Sequence, residues 1–589
     1  MKFRELSNWK DPEGNKGLVY FSQLLEELLF DYSLDTYKPS AMNSSLLCEE
    51  ALQAIKEIGE GNIRKPNIDH ILEELSENLS KDVVSNSLLT LDLGGLKGKI
   101  KNKENDLQER KVVVELIFNQ IILPKYKVSN ERILIGEIKK GSDFSGIRSL
   151  TRSYVTCLVN LGYSSKFIFS SLINCFYNKE IEIDGSSVDG FFKLFPLHNK
   201  KYIVVYKGET VFKRISAACG KLGIKIIDRP SLLPPGISND KFYLKKDQNY
   251  MLIELEAKDQ YSAHVAADRR VEFVRTLYTL FHHKSHPEFE ASCIIYDVAN
   301  DEMVDSVFVQ DPMCKCMDLM PGVASKKLNN FVSKFYMQKD SFIKFNRCAE
   351  LHSMAIKSDS KEEKLINLWI ALESLIPTKN PADEVSNIEH IINSVIPFLN
   401  LRYLSRLLSE LQKSMWRFKE EFYEEVVSDV NGDSLVEKLA KVMSLPEYDR
   451  KKIMIDNSFE FFYLLRERYK YFCHVLSDPK ETSKALENHK KRVGWQLRRI
   501  YRSRNLIVHK GLAPAYTDIL VENTHDYLDI IMKSIIDMKL NRGAVHSVEQ
   551  SFKLAEMEYS FFSGFLAGKK TVVNDEFIKM IICCGVRQL

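Results

Sequence analysis

Residues 502–511, RSRNLIVHKG, place two arginines, an asparagine and a histidine around a short apolar block. Arginine presents a planar fork of donors suited to phosphate, and histidine exchanges protons near neutral pH. The stretch is therefore either the polar end of an ordinary helix or a site that handles RNA.

A helix must carry it. HKKRVGWQLRRIYRSRNLIVHKG contains no proline, ends on Gly511 and is followed by Pro514, which together spell a helix stop. At helical spacing Asn505 and His509 lie roughly 40° apart, and Arg502 joins them on one polar stripe. Arg504 interrupts an apolar stripe of Leu497, Tyr501 and Val508. A guanidinium there must reach out to water or meet an anion. An RNA phosphate between two helices suits that layout, and so does an internal carboxylate.

From Asn488 to Thr517 there is no Asp or Glu, while Lys490, Lys491, Arg492, Arg498, Arg499, Arg502, Arg504 and Lys510 all fall there. In a chain of net charge +3 this predicts a local phosphate-binding field, hence RNA contacts. The competing expectation is a basic helix that is solvated or paired with an acidic neighbour such as EEFYEE, 420–425.

The 589 residues suggest three or four domains. No apolar run is long enough to span a membrane, and MKFRELSNWKDPEGNKG lacks a signal-type apolar core. The eleven cysteines show no zinc spacing, alone or with His282 and His283. The expectation is a cytoplasmic protein with buried, reduced thiols, no membrane contact and no metal.

The pattern predicts a mostly α protein with a central α+β region. Residues 1–128 read as an N-terminal helical region, with KGKIKNKENDLQERK (97–111) as a solvated loop, linker or nucleic-acid arm. Residues 129–327 read as the central region and a possible sensor. There ERILIGEIKKG is expected as a strand, GIRSLTRSYVTCLVNLGYS and SKFIFSSLINCFYN as helices, and RPSLLPPGIS (229–238) as a loop. YIVVYKG, GIKIID, NYMLIELEA and SCIIYDVA read as strands, and AHVAADRRVEFVRTLYTLFHHK as a helix. Residues 328–545 read as a helical bundle carrying the motif, and 546–589 as a helical tail.

Arg504-Asn505-Leu506-Ile507-Val508-His509 resembles the R-x4–6-H signature of the HEPN superfamily, in its R-N-x-x-x-H form. WIALESLIP (369–377) is similar to the helix that precedes the motif in the ApeA-like branch. The resemblance covers roughly 335–540 and implies a C-terminal HEPN-type bundle. It also implies metal-independent cleavage of RNA, without a cofactor. The ribose 2′-OH attacks the adjacent phosphate, leaving a 2′,3′-cyclic phosphate and a 5′-OH. In that chemistry His509 is the general acid or base, Arg504 holds the phosphorane charge, and Asn505 orients the histidine or the substrate. Arg502 adds a phosphate contact and also satisfies the signature's spacing, so either arginine would serve. Glu373 would be a partner for Arg504, in catalysis or as a salt bridge. One motif per chain implies a homodimer. Long-extended relatives imply a prokaryotic antiphage or toxin-type effector that cuts host RNA, often transfer RNA, on a trigger unnamed by this sequence.

Arg347 with His352, and Arg275 with His282, fit the same signature. Neither has Asn after the Arg, so His352 is expected to be a satisfied structural histidine and His282 a helix-end cation. Two rival functions remain. Asp240 with Glu256-Ala257-Lys258 at a strand end would suit a metal-dependent nuclease. A HEPN domain that only binds nucleotide or RNA, or acts as a scaffold, is the other. No P-loop, H-E-x-x-H, G-x-S-x-G or G-x-G-x-x-G is present.

Overall fold

The computed structural model describes residues 3–583 apart from 31–32, 62, 64, 103–105, 230–232, 234–241, 306–312, 314–318, 335–336, 381–383, 542–544 and 569–570. The protein is predominantly helical with one small antiparallel sheet. Strands β1 (Lys200–Glu209), β2 (Ile224–Ile227), β3 (Gln248–Ala257), β4 (Phe289–Asp297) and β5 (Glu302–Asp305) line up in the order β2-β3-β1-β4-β5. All neighbours are antiparallel, and the four expected strand segments form β1 to β4. Alternation decides which face each residue serves. Tyr202, Val204 and Tyr206 pack with Ala263, Ala267 and Val271 of helix Gln260–Thr279, while Val205 faces Tyr250, Leu252 and Ile294 on the other side. Asp259 starts that helix through a reciprocal cap with Ser262.

Two expectations fail here. The segment 131–141 is not a strand but the end of helix Leu123–Lys140. Its Ile-rich letters mislead, because Tyr126, Asn130, Leu134 and Ile138 recur every four residues and are all buried. The stretch 97–111 is not mainly a loop. Helix Leu93–Lys101 is capped by Asp92, and helix Leu107–Gln120 buries Arg110 against Asp69. The predicted loop 229–238 lies almost wholly outside the described residues.

Helices Leu123–Lys140, Phe144–Asn160 and Ser165–Phe176 belong to the N-terminal core, so the sheet unit begins only at Lys200. That core is continuous with Leu401–Leu486 and with Phe562–Ile581, far along the chain. A second core joins helices Lys339–Lys357 and Lys361–Leu375 to residues 391–399 and 493–555. Within the bundle, Asn387–Val427 is one long helix, running through Pro397 and broken at Lys419. It passes from one core to the other. Cys48, Cys157, Cys219, Cys293 and Cys348 are buried free thiols. Among the described residues no helix is long and apolar enough to cross a membrane.

Candidate functional site

The motif lies at the end of helix Pro479–Lys510. Asp478 caps its start through the Lys480 amide, with Pro479 in the first turn. Gly511 ends it at φ 65, its N–H donating to the Ile507 carbonyl, a left-handed conformation that favours glycine. Val493, Leu497, Ile500 and Ile507 face the core. Val508, expected in that stripe, is exposed, and Tyr501 is half-buried against Trp369 at 5.7 Å between ring centroids.

His509 is exposed on the last turn, and its ring forms no hydrogen bond among the described residues. Arg504 is half-buried. Its Nη1 donates to Asn505 Oδ1 at 2.9 Å, and its buried Nε has no acceptor among the described residues. Glu373 is half-buried and makes no ion pair with Arg504, so the expected Glu373–Arg504 bridge is not formed.

The structure also corrects the expected field of uncompensated charge. Arg499 is 2% exposed and donates to Glu50 and Glu74 of helices Ser44–Gly59 and Asn67–Lys81. Arg502 donates to Glu50 at 2.7 Å, while its Nε and Nη1 are buried without acceptors. Lys491 pairs with Glu73 and Glu77, and Lys510 with Glu57 at 2.5 Å and Glu60 at 3.0 Å. Arg498 grips Glu389 through two nitrogens, and Lys490 sits 3.8 Å from Glu487. Arg492 donates to the Tyr403 hydroxyl. The acids are not EEFYEE, since they come chiefly from the N-terminal helices. Local sequence counting could not see them.

Burial alone would raise the pKa of Glu50, but Arg499 and Arg502 outweigh it and hold the carboxyl at about 2. Burial does win at Glu74, where the adjacent Glu50 adds to it, and that carboxyl is pushed up. Arg499 therefore lies between one firmly ionised carboxylate and one that resists ionisation.

The E-x-K segment is committed elsewhere. Lys258 is 9% exposed and its ammonium donates to the Leu197 carbonyl at 2.5 Å, while Glu256 faces solvent. Asp240 is outside the described residues. Among the described residues one trio has metal-ligand chemistry: His352, His525 and Asp529, with ligand atoms within 4.8 Å of one another. A tetrahedral centre with bonds near 2.0–2.1 Å sets its donors roughly 3.4 Å apart. The two Nε2 atoms are 2.8 Å apart, a hydrogen bond, and Lys533 holds the carboxylate at 3.1 Å. As folded, the trio is a polar network within the bundle, and burial pushes both imidazoles down. His282 is exposed just beyond helix Gln260–Thr279, 3.1 Å from Ser285 Oγ.

Sequence reading missed the His525–His352 contact, since 173 residues separate the partners. It also missed a group of arginines described below. Comparisons of the chain with protein-family models, with curated proteins and with solved structures gave no match.

Proposed function

We propose that the chain is a metal-independent endoribonuclease with a HEPN-type catalytic end, working as a homodimer on cellular RNA. One observation carries this reading. Arg504 and Arg492 are the only cations of the 488–517 stretch that no carboxylate pairs among the described residues, and Arg504 lies five residues before the exposed, unpartnered His509 on the same helix. A guanidinium with no carboxylate partner and an imidazole with no partner among the described residues suit phosphorane stabilisation and proton transfer at a site that brings them together. Asn505, bonded to Arg504, sets that guanidinium's orientation. The other basic side chains serve mainly to hold the motif helix against the acidic N-terminal helices. The RNA-facing group then reduces to Arg504, Asn505 and His509. An antiphage or toxin-type role, with transfer RNA as one target class, follows from the motif by analogy.

The test is expression of wild type and His509→Ala, followed by mapping of RNA ends. The expected result is cleavage by wild type alone, with 2′,3′-cyclic phosphate and 5′-hydroxyl termini, unaffected by EDTA. Equal cleavage by His509→Ala refutes the proposal, and loss of activity in EDTA points to a metal-dependent nuclease.

A scaffold reading has its own support. Most of the basic face is consumed by internal ion pairs, and among the described residues nothing hydrogen-bonds the His509 ring. That reading expects no RNA cleavage by either protein.

A further inference from the structure

A cavity of about 200 Å³ lies where the N-terminal helices meet the C-terminal bundle. Four arginines line it: Arg148 and Arg152 from helix Phe144–Asn160, Arg468 from helix Tyr463–Val475, and Arg492 from the motif helix. Like charges do not gather without something to hold them. Glu27 takes both terminal nitrogens of Arg468, and Glu467 lies on the wall without an ion pair among the described residues. Arg148, Arg152 and Arg492 form no ion pair with any carboxylate among the described residues. Four guanidiniums against Glu27 and Glu467 leave an excess of two positive charges.

Arg152 spends its terminal nitrogens on neutral groups, the carbonyls of Thr36 at 3.0 Å and Lys38 at 2.8 Å. Burial, with Arg492, Arg148 and Arg468 close by, brings its pKa down to about 10. A resident carboxylate would push the other way. Asp35, whose charge also acts on Arg492, is itself pushed up by burial and by Asp526.

The hydrogen-bond polarity points the same way. Tyr20 Oη accepts from Arg148 Nε at 3.2 Å, and Tyr403 Oη accepts from Arg492 Nη2 at 3.1 Å. Each hydroxyl keeps its own hydrogen to donate. The polar wall thus offers mainly donors, which an oxyanion with several acceptor oxygens satisfies. A phosphomonoester carries a charge of about −1.5 to −2 at neutral pH, matching the excess. The volume admits a phosphoryl group with a small body and no strand of nucleic acid.

We propose that this cavity binds a small phosphate-bearing anion, either free phosphate or a phosphomonoester. The site stands independently of the ribonuclease reading, because none of its residues belongs to the Arg504–His509 group.

The test is calorimetric titration of the full-length protein with inorganic phosphate, ribose 5-phosphate and adenosine 5′-monophosphate. Saturable binding is expected for at least one probe, with Kd below roughly 1 mM. Arg148→Gln and Arg492→Gln should each weaken it by about tenfold, through loss of a charge-assisted bond. Arg347→Gln, an exposed arginine elsewhere, should leave it unchanged. Arg492 lines the cavity and is exposed, so its variant remains informative if Arg148→Gln fails to fold. Equal affinity for all three probes identifies free phosphate as the recognised part, and tighter binding of an ester identifies the phosphomonoester. Absence of saturable binding by every probe, or unchanged affinity in the Arg492 variant, overturns the proposal.

Discussion

Glu50 and Arg502 share a hydrogen bond of 2.7 Å although 452 residues separate them. The same carboxylate takes Arg499, so one acid of the N-terminal helices fixes two arginines on the face of the motif helix. This pair of contacts ties the first hundred residues to the end that carries His509.

The two acids beside Arg499 should respond oppositely to neutralisation. Glu50→Gln removes the carboxylate shared by Arg499 and Arg502, and breaking a buried pair costs roughly 3–5 kcal/mol. Glu74→Gln should cost less, because burial and the neighbouring Glu50 disfavour its charged form and Arg499 keeps its bonds to Glu50. Melting temperatures of the two variants check this. Acid titration adds a second readout. The folded-state pKa of Glu50 lies below its ordinary 4.5, so its stabilising contribution is full above about 4.5 and is lost as pH falls towards 2.

His489 should make the protein less stable in mild acid. Its Nδ1 lies 2.6 Å from Asn400 Oδ1, and Tyr403 stacks on the ring at 3.7 Å. Burial, with Arg492 and Arg406 nearby, pushes its pKa well below 6.5. The folded state keeps the ring neutral, whereas the unfolded chain protonates it below about 6.5. Stability from this residue is therefore complete above 6.5 and falls by up to about 1.4 kcal/mol per pH unit below it. His489→Asn should lose less stability than wild type between pH 7 and pH 5, in thermal melts at both values. An equal loss would remove His489 as the cause.

What could be read from the letters was local. The strands around 202–208 and 249–257 announce themselves as short apolar runs bounded by turn-forming residues, and Gly511 by its place after the last apolar turn. His509 at an exposed helix end follows from the same local logic. The helix over 123–140 was obscured because its four-residue stripe includes Asn130, a polar residue that is nonetheless buried. The charge around the motif was illegible for a different reason. A window from 488 to 517 counts cations, while Glu50, Glu57, Glu74 and Glu77 enter only through tertiary packing.

Trp369 links the ALESL helix to the motif helix, and its replacement should separate shape from hydrogen bonding. The indole is fully buried, and its Nε1–H has no acceptor among the described residues. Trp369→Ala leaves a large cavity beside Tyr501 and should cost about 3–5 kcal/mol. Trp369→Phe keeps most of the volume and removes an unpaired donor, so its cost should be well under half of that. Urea denaturation of both variants provides the comparison.

If the working site is composite, with Arg504 of one protomer serving His509 of its partner, complementation should reveal it. Arg504→Ala and His509→Ala are each expected to be inactive alone. Mixed during refolding or co-expressed, half of the dimers formed at random contain one copy of each variant. In such a dimer one of the two sites receives an intact Arg504 and an intact His509, while the other receives neither. Activity should then return to roughly a quarter of wild type. Sites built wholly within one protomer give no recovery, because every site in the mixture lacks one of the two groups. Light scattering on the mixture shows whether dimers are present, so failure to associate is distinguishable from a site confined to one chain.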